Sequence, residues 1–439
     1  MRDMKDSGID WIGEIPQEWK TARIKHVIDR SEFGIKIGPF GSTLANRTLI
    51  SGPYNVYSQA NLISNSFSDT NHYIDRDTFV DLRGYEVKPG DVCVSMMGTI
   101  GKCKVVPEGI TEGIMDSHLI KIRLDETQIE PRFFEYVYDK DNSGVCFTQM
   151  QYEKKGTIMD GLNTAIVKNL IIPLPPLNDQ IDISKYLDTK CAEIDALIAA
   201  KEKTNALLKE RRQSIIYEAV TKGLDPTAPM KDSGVEWIGE IPEGWELRKI
   251  KYNFDVFAGA TPKSGETSFW DGDIPWITPA DYMTEDVFVS AGRKSITQEG
   301  MDSCATTMIP EGSVVFSKRA PVGLVAISSN RLCTNQGCLS CVPRENVDAK
   351  YFYYTISVFS EQFDLLASGT TFKEISADSF ANFKLPYPAY ESQREIAAHL
   401  DNKCSELDSA VEQNNATIQK LKEYRQSLIY EAVTGKIEI

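Results

Sequence analysis

Cysteine and histidine are the residue types of this sequence that most directly suggest metal chemistry. Three of the nine cysteines cluster in the stretch CTNQGCLSC, at Cys333, Cys338 and Cys341, whereas the four histidines are scattered singly. A structural zinc site needs four ligands, usually as two close pairs, and no second pair follows this cluster. We therefore predict no metal site and interpret the cysteines as reduced thiols.

The sequence also lacks the motifs that would hold a cofactor or perform a reaction. It contains no glycine-rich dinucleotide or phosphate-binding loop and no NPPF-like motif of amino-methyltransferases. No nucleophile, base and orienting residue occur together at plausible places. No apolar run approaches the roughly 18–20 residues needed to cross a bilayer, and the start MRDMKDSGID lacks the apolar core of a signal peptide. We predict a non-catalytic cytoplasmic protein with no cofactor of its own and no membrane association.

An internal repeat is the feature that organises the chain. MKDSGIDWIGEIPQEW (Met4–Trp19) recurs as MKDSGVEWIGEIPEGW (Met230–Trp245), with twelve of sixteen positions identical at an offset of 226. RQSIIYEAVTKG (Arg212–Gly223) recurs as RQSLIYEAVTGK (Arg425–Lys436) at an offset of 213. Two copies indicate pseudo-twofold symmetry rather than a solenoid.

Each half consists of an opening motif, a divergent stretch, a proline-rich hinge and a long helix. Alternating apolar residues in DVCVSM and SVVFSK predict half-buried strands, and PRFFEYVYDK predicts a helix, so both divergent stretches should share an α+β fold with an antiparallel bias. The predicted segments are 1–20 (opening motif), 21–172 (first globular domain), 173–229 (central hinge and helix), 230–245 (repeated motif), 246–385 (second globular domain) and 386–439 (distal hinge and helix).

Runs of about 45 residues without proline or glycine predict two long helices with a coiled-coil seam. The apolar seam positions are Ile194, Ile198, Leu208 and Ile215 in the first helix and Leu407, Val411, Ile418, Leu421 and Leu428 in the second. Asn205, Asn414, Arg212 and Arg425 interrupt the seam, as register-fixing polar residues do. We expect the two helices to pack on each other and to run antiparallel; the alternative is that each helix packs only on its own domain.

The order of these motifs resembles the specificity subunit of type I restriction–modification enzymes over essentially the whole chain. The opener DWIGEIPQEW and its copy carry the resemblance, together with the hinges followed by Gln180 or Gln393 and the repeats RRQSIIYEAVTKG and YRQSLIYEAVTGK. IKIGPFGSTL (Ile35–Leu44) and GATPKSGETSFWDGDIPWITPADY (Gly259–Tyr282) look like starts of target recognition domains, and GTIGK (Gly98–Lys102) is also typical.

The resemblance implies a non-catalytic subunit with two target recognition domains joined by two long antiparallel coiled-coil helices. Each domain would read one half of a split double-stranded DNA target, and the helices would set the spacing. Two methyltransferase subunits would dock on the conserved regions and bring S-adenosylmethionine. Restriction and translocase subunits, if present, would bring ATP hydrolysis. Two equivalent docking sites would explain why the conserved parts occur twice.

The net charge of −15 argues against strong DNA binding by the chain alone, because phosphate binding usually needs a basic surface. The long helices contribute little of this charge, so partner subunits are expected to supply phosphate contacts and this chain only local base-reading patches. Two alternatives remain open. One is the specificity subunit of a type IIB-like or orphan methyltransferase, and the other is a coiled-coil scaffold whose two globular domains bind proteins.

Candidate base-reading residues lie in predicted loops that combine amide, hydroxyl, aromatic and basic side chains. Asn or Gln reads adenine bidentately, and Arg or Lys reads guanine. The candidates are Ser42, Tyr57, Gln59, Asn61, Lys154 and Lys155 in the first domain, and Lys263, Thr278, Lys318, Arg319, Asn335 and Gln336 in the second. The alternative for each is a solvated loop or a hydrogen bond within its domain.

Two further features of the sequence have a structural interpretation. We expect residues 38–41 to shape a turn. The tryptophans of the opening motif and its copy are interpreted as core anchors rather than partner contacts; they are Trp11, Trp19, Trp237 and Trp245.

Overall fold

The chain divides into two compact units. In this computed structural model the described residues are 2–31, 34–44, 47–68, 70–153, 162–282, 286–319, 321–369 and 373–439, without the side chains of 41–42 and 152–153. Unit 1 consists of Met1–Glu202 and Asn415–Ile439, and unit 2 of Lys203–Asn414. The division therefore falls inside both long helices.

Unit 1 contains short strands and helices that precede the first long helix. Its strands are β1 (Met4–Asp6), β2 (Glu14–Pro16), β3 (Lys20–Arg23), β4 (Ile35–Ile37), β5 (Tyr54–Tyr57), β6 (Tyr73–Ile74), β7 (Val92–Ser95), β8 (Cys103–Val105), β9 (Gly113–Met115), β10 (Leu119–Ile122) and β11 (Ile171–Leu174). Its helices are α1 (Gly41–Leu44), α2 (Gln59–Ser64), α3 (Arg76–Asp81), α4 (Pro131–Tyr138), α5 (Val145–Glu153), α6 (Thr164–Asn169) and the first part of α7 (Leu177–Lys222), with 3₁₀ turns at Ile24–His26 and Arg83–Tyr85.

Unit 2 has a similar set of short strands and helices. Its strands are β12 (Met230–Asp232), β13 (Glu240–Pro242), β14 (Glu246–Lys249), β15 (Phe254–Ala258), β16 (Trp270–Ile277), β17 (Phe288–Val289), β18 (Lys294–Ile296), β19 (Val314–Ser317), β20 (Val325–Ser328), β21 (Cys333–Thr334), β22 (Cys338–Pro343) and β23 (Lys384–Tyr387). Its helices are α8 (Ile250–Asn253), α9 (Gln298–Asp302), α10 (Ala349–Val358), α11 (Ser360–Leu366), α12 (Ala377–Asn382) and the first part of α13 (Tyr390–Val433), with 3₁₀ turns at Thr267–Phe269 and Pro279–Asp281. The last part of α7 also belongs to unit 2, and the last part of α13 belongs to unit 1.

The two divergent stretches share one topology, as the sequence predicts. The main sheet has the order β4-β10-β7-β8 in unit 1 and β15-β22-β19-β20 in unit 2, where β17 extends it. A second sheet contains the parallel pair β5–β9 in unit 1 and the parallel pair β16–β21 in unit 2. The neighbouring pairs of the two main sheets are antiparallel, apart from the added β17. The α+β prediction with an antiparallel bias is therefore confirmed.

Both long helices begin after a proline hinge and end at a glycine. Helix α7 follows Pro175-Pro176, and helix α13 follows Pro388, where the missing amide hydrogen costs nothing at a helix start. Gly223 and Gly435 then adopt φ values of +75° and +73°, the left-handed conformation that commonly ends a helix. The two helices thus extend over 46 and 44 residues.

The predicted seam is present within each unit. In unit 1, Ile194 and Ile198 of α7 share one buried core with Ile418 and Leu428 of α13, and Leu421 packs against that core. In unit 2 the seam residues Leu208, Leu407 and Val411 line one cavity, and Ile215 packs against the core of unit 2. Burial of apolar side chains from both helices is the main force that holds a coiled-coil pair together.

The polar residues that interrupt the seam contact the opposite helix. Asn414 Nδ2 donates to Asn205 Oδ1 at 2.9 Å, and Arg212 Nε lies 3.2 Å from Asp408 Oδ1 in unit 2. In unit 1 Arg425 Nε lies 3.0 Å from Asp195 Oδ1. The two arginine–aspartate pairs occupy equivalent repeat positions, at the offset of 213. They pair residues near the end of one helix with residues in the first half of the other, which requires antiparallel helices.

The tryptophans of the opening motifs divide into buried and exposed residues. Trp19 and Trp245 are buried, and Trp11 is partly buried against the core of unit 1, as expected for anchors. Trp237 is 42% exposed and stacks on Phe383 with ring centroids 5.9 Å apart, so its prediction as a core residue is wrong. A tryptophan ring that covers a phenylalanine from the solvent side satisfies the same apolar pattern without entering the core.

The clustered cysteines are part of the sheets of unit 2. Cys333, Cys338 and Cys341 are buried and unbridged, and burial raises the pKa of the Cys338 thiol to about 12. Throughout the described ranges no group of three or more metal-binding side chains converges. In those same ranges no helix combines the length and apolar character that a bilayer crossing requires.

Candidate nucleic-acid interface

Four segments of unit 2 meet where the strands of its sheets end. Ala260 N donates to Thr334 O at 3.0 Å, Asn335 N to Ile277 O at 2.8 Å, and Lys318 N to Gly337 O at 2.9 Å. These backbone bonds bring together the candidate residues of this unit, which the sequence spreads over more than 70 positions. We call this surface the reading edge of unit 2; it consists of residues 259–263, 278, 318–319 and 335–337.

An ion-pair cluster fixes the basic residues of this edge. Glu374 lies 2.9 Å from Lys318 Nζ and 2.8 Å from Arg319 Nε. Burial acts to raise the pKa of the Glu374 carboxyl, but hydrogen bonds from both cations outweigh it and lower the pKa below its usual value. The side chain of Lys318 is 14% exposed, whereas that of Arg319 is 45% exposed. Within the described part of the chain, Arg319 bonds Glu374 through Nε, and its terminal nitrogens make no hydrogen bond.

The other candidates of unit 2 fall into two groups. Thr278 Oγ1 donates to Asp281 Oδ2 at 2.7 Å, and Asn335 Oδ1 accepts from Gly337 N at 2.9 Å, so both side chains shape turns. Lys263 and Gln336 are exposed, and Gln336 Oε1 accepts a hydrogen bond from Thr261 Oγ1. The structure therefore offers Lys263, Arg319 and Gln336 to an incoming ligand more directly than Thr278 or Asn335.

Unit 1 has an equivalent edge with different side chains. Asp116 N donates to Tyr57 O at 2.8 Å, and Asp116 Oδ1 accepts from His118 N at 2.9 Å, the same geometry that Asn335 has in unit 2. Gly38 packs against this turn so closely that a Cβ there would lie 1.7 Å from Asp116 O. The reading edge of unit 1 consists of residues 38–40, 58–59, 96–98 and 116–118.

Two sequence candidates of unit 1 do not reach this surface. Tyr57 is fully buried at the end of β5, and its hydroxyl donates to Thr111 O at 2.5 Å. Asn61 is 4% exposed; its Oδ1 accepts from Ser58 N and its Nδ2 donates to Ser66 O, both at 2.9 Å. The predictions for Tyr57 and Asn61 as base contacts are wrong, because both side chains already satisfy interior hydrogen bonds.

The remaining candidates of unit 1 have different outcomes. Gln59 begins α2 at the reading edge, and its Oε1 is buried without a hydrogen-bond partner among the described residues. Buried polar atoms almost always have a partner, so this acceptor is a position that a water or a ligand can fill. The side chain of Ser42 and the whole of Lys154 and Lys155 lie outside what the structure describes.

Sequence reasoning missed three exposed side chains on the edge of unit 1. Phe40 is 85% exposed, Met97 is 40% exposed, and the His118 side chain is 47% exposed with its Nδ1 3.2 Å from Asp116 Oδ2. Aligning SMMGTIG with SKRAPVG at their serines would have identified Met97, because it falls opposite Arg319. For Phe40 the sequence predicts only a turn, because the exposure of a single apolar residue cannot be inferred from its type.

Glutamines at the starts of the long helices bond each globular domain to its helix. Gln180 Oε1 accepts from Glu130 N at 2.9 Å, while its Nε2 donates to Gln128 O at 3.0 Å and to Pro175 O at 2.9 Å. Gln393 makes the equivalent bonds in unit 2, to Asp348 N, Asn346 O and Pro388 O. Both glutamines are fully buried. The amides thereby bond the segments that precede α4 and α10 to the starts of the long helices in their own units.

Comparison with known proteins agrees with this architecture. Over 166 residues the chain is 37% identical to a type I restriction enzyme specificity subunit, MjaIX, of Methanocaldococcus jannaschii; that match spans 37% of this chain and 38% of the relative. It is 25% identical to the putative type I specificity subunit MjaX of the same organism, over 98% of this chain and 96% of the relative.

Solved structures show the same fold. A chain from a study of complex assembly and conformational transition of the type I R-M system matches with a TM-score of 0.74 at 19% identity, covering 96% of this chain and 99% of its own length. The HsdS subunit from Thermoanaerobacter tengcongensis matches with a TM-score of 0.51 at 18% identity, over 96% and 98%. Residues 16–209 and 242–423 match the family described as type I restriction modification DNA specificity domain. Because these two regions cover most of both halves, the chain belongs to that family.

Proposed function

We propose that this chain is the DNA sequence-recognition subunit of a type I restriction–modification system, in which each unit reads one half of a bipartite target. The observation that carries the proposal is that both halves match the specificity family and repeat one sheet topology with different side chains at the reading edges. Two domains with the same sheet topology but different side chains at their reading edges are what two readers of different DNA half-sites require. The relatives described above are type I specificity subunits, so they favour this function over a protein scaffold or an orphan methyltransferase subunit.

We assign no reaction to the chain and place the chemistry on its partners. Two methyltransferase subunits dock on the repeated conserved regions and supply S-adenosylmethionine, and restriction and translocase subunits, where present, supply ATP hydrolysis. The assembly works in the cytoplasm, on chromosomal and invading DNA. The net charge of −15 requires that the partners provide most contacts to phosphate, since counterion release by basic residues supplies most non-specific DNA affinity.

Base recognition then rests on the reading edges and on the segment boundaries predicted from the sequence. We retain 21–172 and 246–385 as the two target recognition domains. Gln59 in the first domain, and Lys263, Arg319 and Gln336 in the second, remain proposed base contacts, as do Ser42, Lys154 and Lys155. Lys318 positions Glu374, while Thr278 and Asn335 position the turns that carry their neighbours.

Mapping N6-methyladenine tests this function directly. Plasmids carrying this chain with its cognate methyltransferase gene should acquire methylation at a split motif in a methylation-free host, whereas the chain alone should leave DNA unmodified. A matched strain with the methyltransferase gene alone serves as the control. Methylation at a single unsplit motif, or methyl transfer by the purified single chain, contradicts the proposal.

A further inference from the structure

The turn after the third strand of each main sheet has the same hydrogen bonds in both units. Ser95 Oγ donates to Thr99 O at 2.5 Å and accepts from Lys102 N at 3.0 Å. Ser317 Oγ donates to Pro321 O at 2.6 Å and accepts from Leu324 N at 2.9 Å. The two turns therefore align residue by residue, starting from the two serines.

A second pair of bonds confirms the register of this alignment. Gly101 N donates to Ser95 O at 3.4 Å, and Gly323 N donates to Ser317 O at 3.0 Å. Both glycines adopt positive φ values, +89° and +96°, which side-chain-bearing residues rarely adopt. Counting two residues on from each serine places Met97 of unit 1 in the position that Arg319 occupies in unit 2.

These two equivalent residues are both exposed but differ in chemistry, because Met97 is apolar and Arg319 is positively charged. Met97 is 40% exposed, and the Arg319 side chain is 45% exposed. The residue before each of them also has equivalent backbone contacts, because Met96 N donates to His118 O at 3.0 Å and Lys318 N donates to Gly337 O at 2.9 Å. Met97 and Arg319 therefore each follow a residue that is bonded to the equivalent turn, residues 116–118 in unit 1 and residues 335–337 in unit 2.

We infer that Met97 and Arg319 are equivalent specificity-determining positions, and that Arg319 reads a guanine while Met97 contacts the methyl group of a thymine. This inference rests on the proposed function. Glu374 holds the Nε of Arg319, which leaves its terminal nitrogens for the O6 and N7 acceptors of guanine. A thioether side chain has no strong donor, and in the major groove an apolar contact selects the C5-methyl group of thymine.

Variants at both positions, assembled with the cognate methyltransferase, test the inference on a library with randomised half-sites. Arg319→Met should lower the preference for guanine at one position of one half-site by roughly 5- to 150-fold. Met97→Ala should lower the preference for thymine at one position of the other half-site by roughly fourfold, the equivalent of one buried methyl group. Met97→Arg should replace that thymine preference with a guanine preference.

Two exposed residues outside the reading edges provide matched controls. Arg344 follows β22 and pairs with Asp255 Oδ1 at 2.6 Å, so Arg344→Met removes an ion-paired arginine far from the edge. Ile50 is 96% exposed before the start of β5, so Ile50→Arg adds the same charge as Met97→Arg. Both controls should leave the motif unchanged.

The outcomes separate this inference from the function on which it rests. A wild-type complex that shows no bipartite motif overturns the proposed function. A wild-type bipartite motif that Arg319→Met and both Met97 variants leave intact overturns the inference alone. A change at both half-sites by a single variant overturns the inference too, since each position belongs to one recognition domain.

Discussion

Replacing Gln180 with leucine should destabilise unit 1 without changing the surface that meets DNA. The leucine fills a similar volume but removes three hydrogen bonds, which leaves Glu130 N, Gln128 O and Pro175 O buried without their side-chain partner. Each buried backbone group that loses its partner costs about 1–3 kcal/mol. Burial of the apolar leucine side chain offsets part of this loss in stability. The expected net loss is about 2–4 kcal/mol in the free energy of unfolding of unit 1.

The assay must report the two units separately, because a chain with two cores need not unfold in one step. Hydrogen exchange followed by mass spectrometry should show faster exchange around residues 128–135 and 177–187 in Gln180→Leu, with peptides of unit 2 unchanged. Gln393→Leu should produce the converse pattern. In urea, where the free energy of unfolding falls by about 2–3 kcal/mol per M, the unfolding midpoint of unit 1 should fall by about 1 M in Gln180→Leu.

An exposed glutamine controls for the loss of the amide itself. Gln419 Nε2 donates to Glu423 Oε1 one helical turn away at 2.8 Å, a solvent-facing pair worth about 0.5 kcal/mol or less. Gln419→Leu should therefore leave both transitions nearly in place. A loss below about 0.5 kcal/mol for Gln180→Leu, or faster exchange spread evenly over both units, would refute the idea that this amide fixes the domain to its helix.

Three other changes probe the helices and the modular domains. Inserting four helix-forming residues after Ala200, with four more after Gln419 in the opposite helix, advances each helix by roughly 6 Å and turns it about 40° beyond a full circle. Methylation mapping should then show a spacer one base pair longer, and an unchanged spacer would mean that the helices do not set the distance. Changing Asn205 and Asn414 together to leucine removes a half-buried polar pair and should raise the melting temperature measured by calorimetry, while a lower one would show that the pair stabilises the seam. Exchanging residues 246–385 for those of another specificity subunit should alter one half-site, and a change in both would contradict modular reading.

The sequence predicts those features that depend on local periodicity. Helix bounds, the seam at Ile194 and Ile198, and the shared α+β fold follow from apolar spacing, proline and glycine, which act within a few residues of each other. Prediction fails where a contact between residues far apart in the chain determines the local structure. The sequence places Tyr57 in a loop, but β5 extends through it because Met115 of β9, 58 residues later, pairs with it in parallel. That pairing cannot be deduced from the neighbours of Tyr57.

The reading edges show the same division between local and long-range information. Residue type predicts Arg319 and Gln336 as base contacts, but the sequence cannot show that Glu374 holds Arg319 in place, since the two residues are 55 positions apart. It missed Met97, because methionine carries no donor or acceptor that suggests recognition. Only the equivalence of the two turns, established by hydrogen bonds in both units, makes an apolar side chain a candidate for base reading.

The two offsets of the repeat, 226 and 213, have a structural reason in the way the opening motifs pack. Tyr217 near the end of α7 donates to Trp237 O at 3.2 Å and Ile238 O at 3.1 Å, so the second opener packs on the helix that directly precedes it. Tyr430 near the end of α13 makes the same bonds to the first opener, at residues 11 and 12, more than 400 positions earlier in the chain. The repeating structural element is thus a helix end, an opener, a recognition domain and a hinge, rather than one linear half of the chain. The first opener is bonded to α13 and the second opener to α7. Along the chain, each recognition domain lies between its opener and the long helix that follows. Insertions within that domain therefore change the offset of the opener relative to the helix without disturbing either contact.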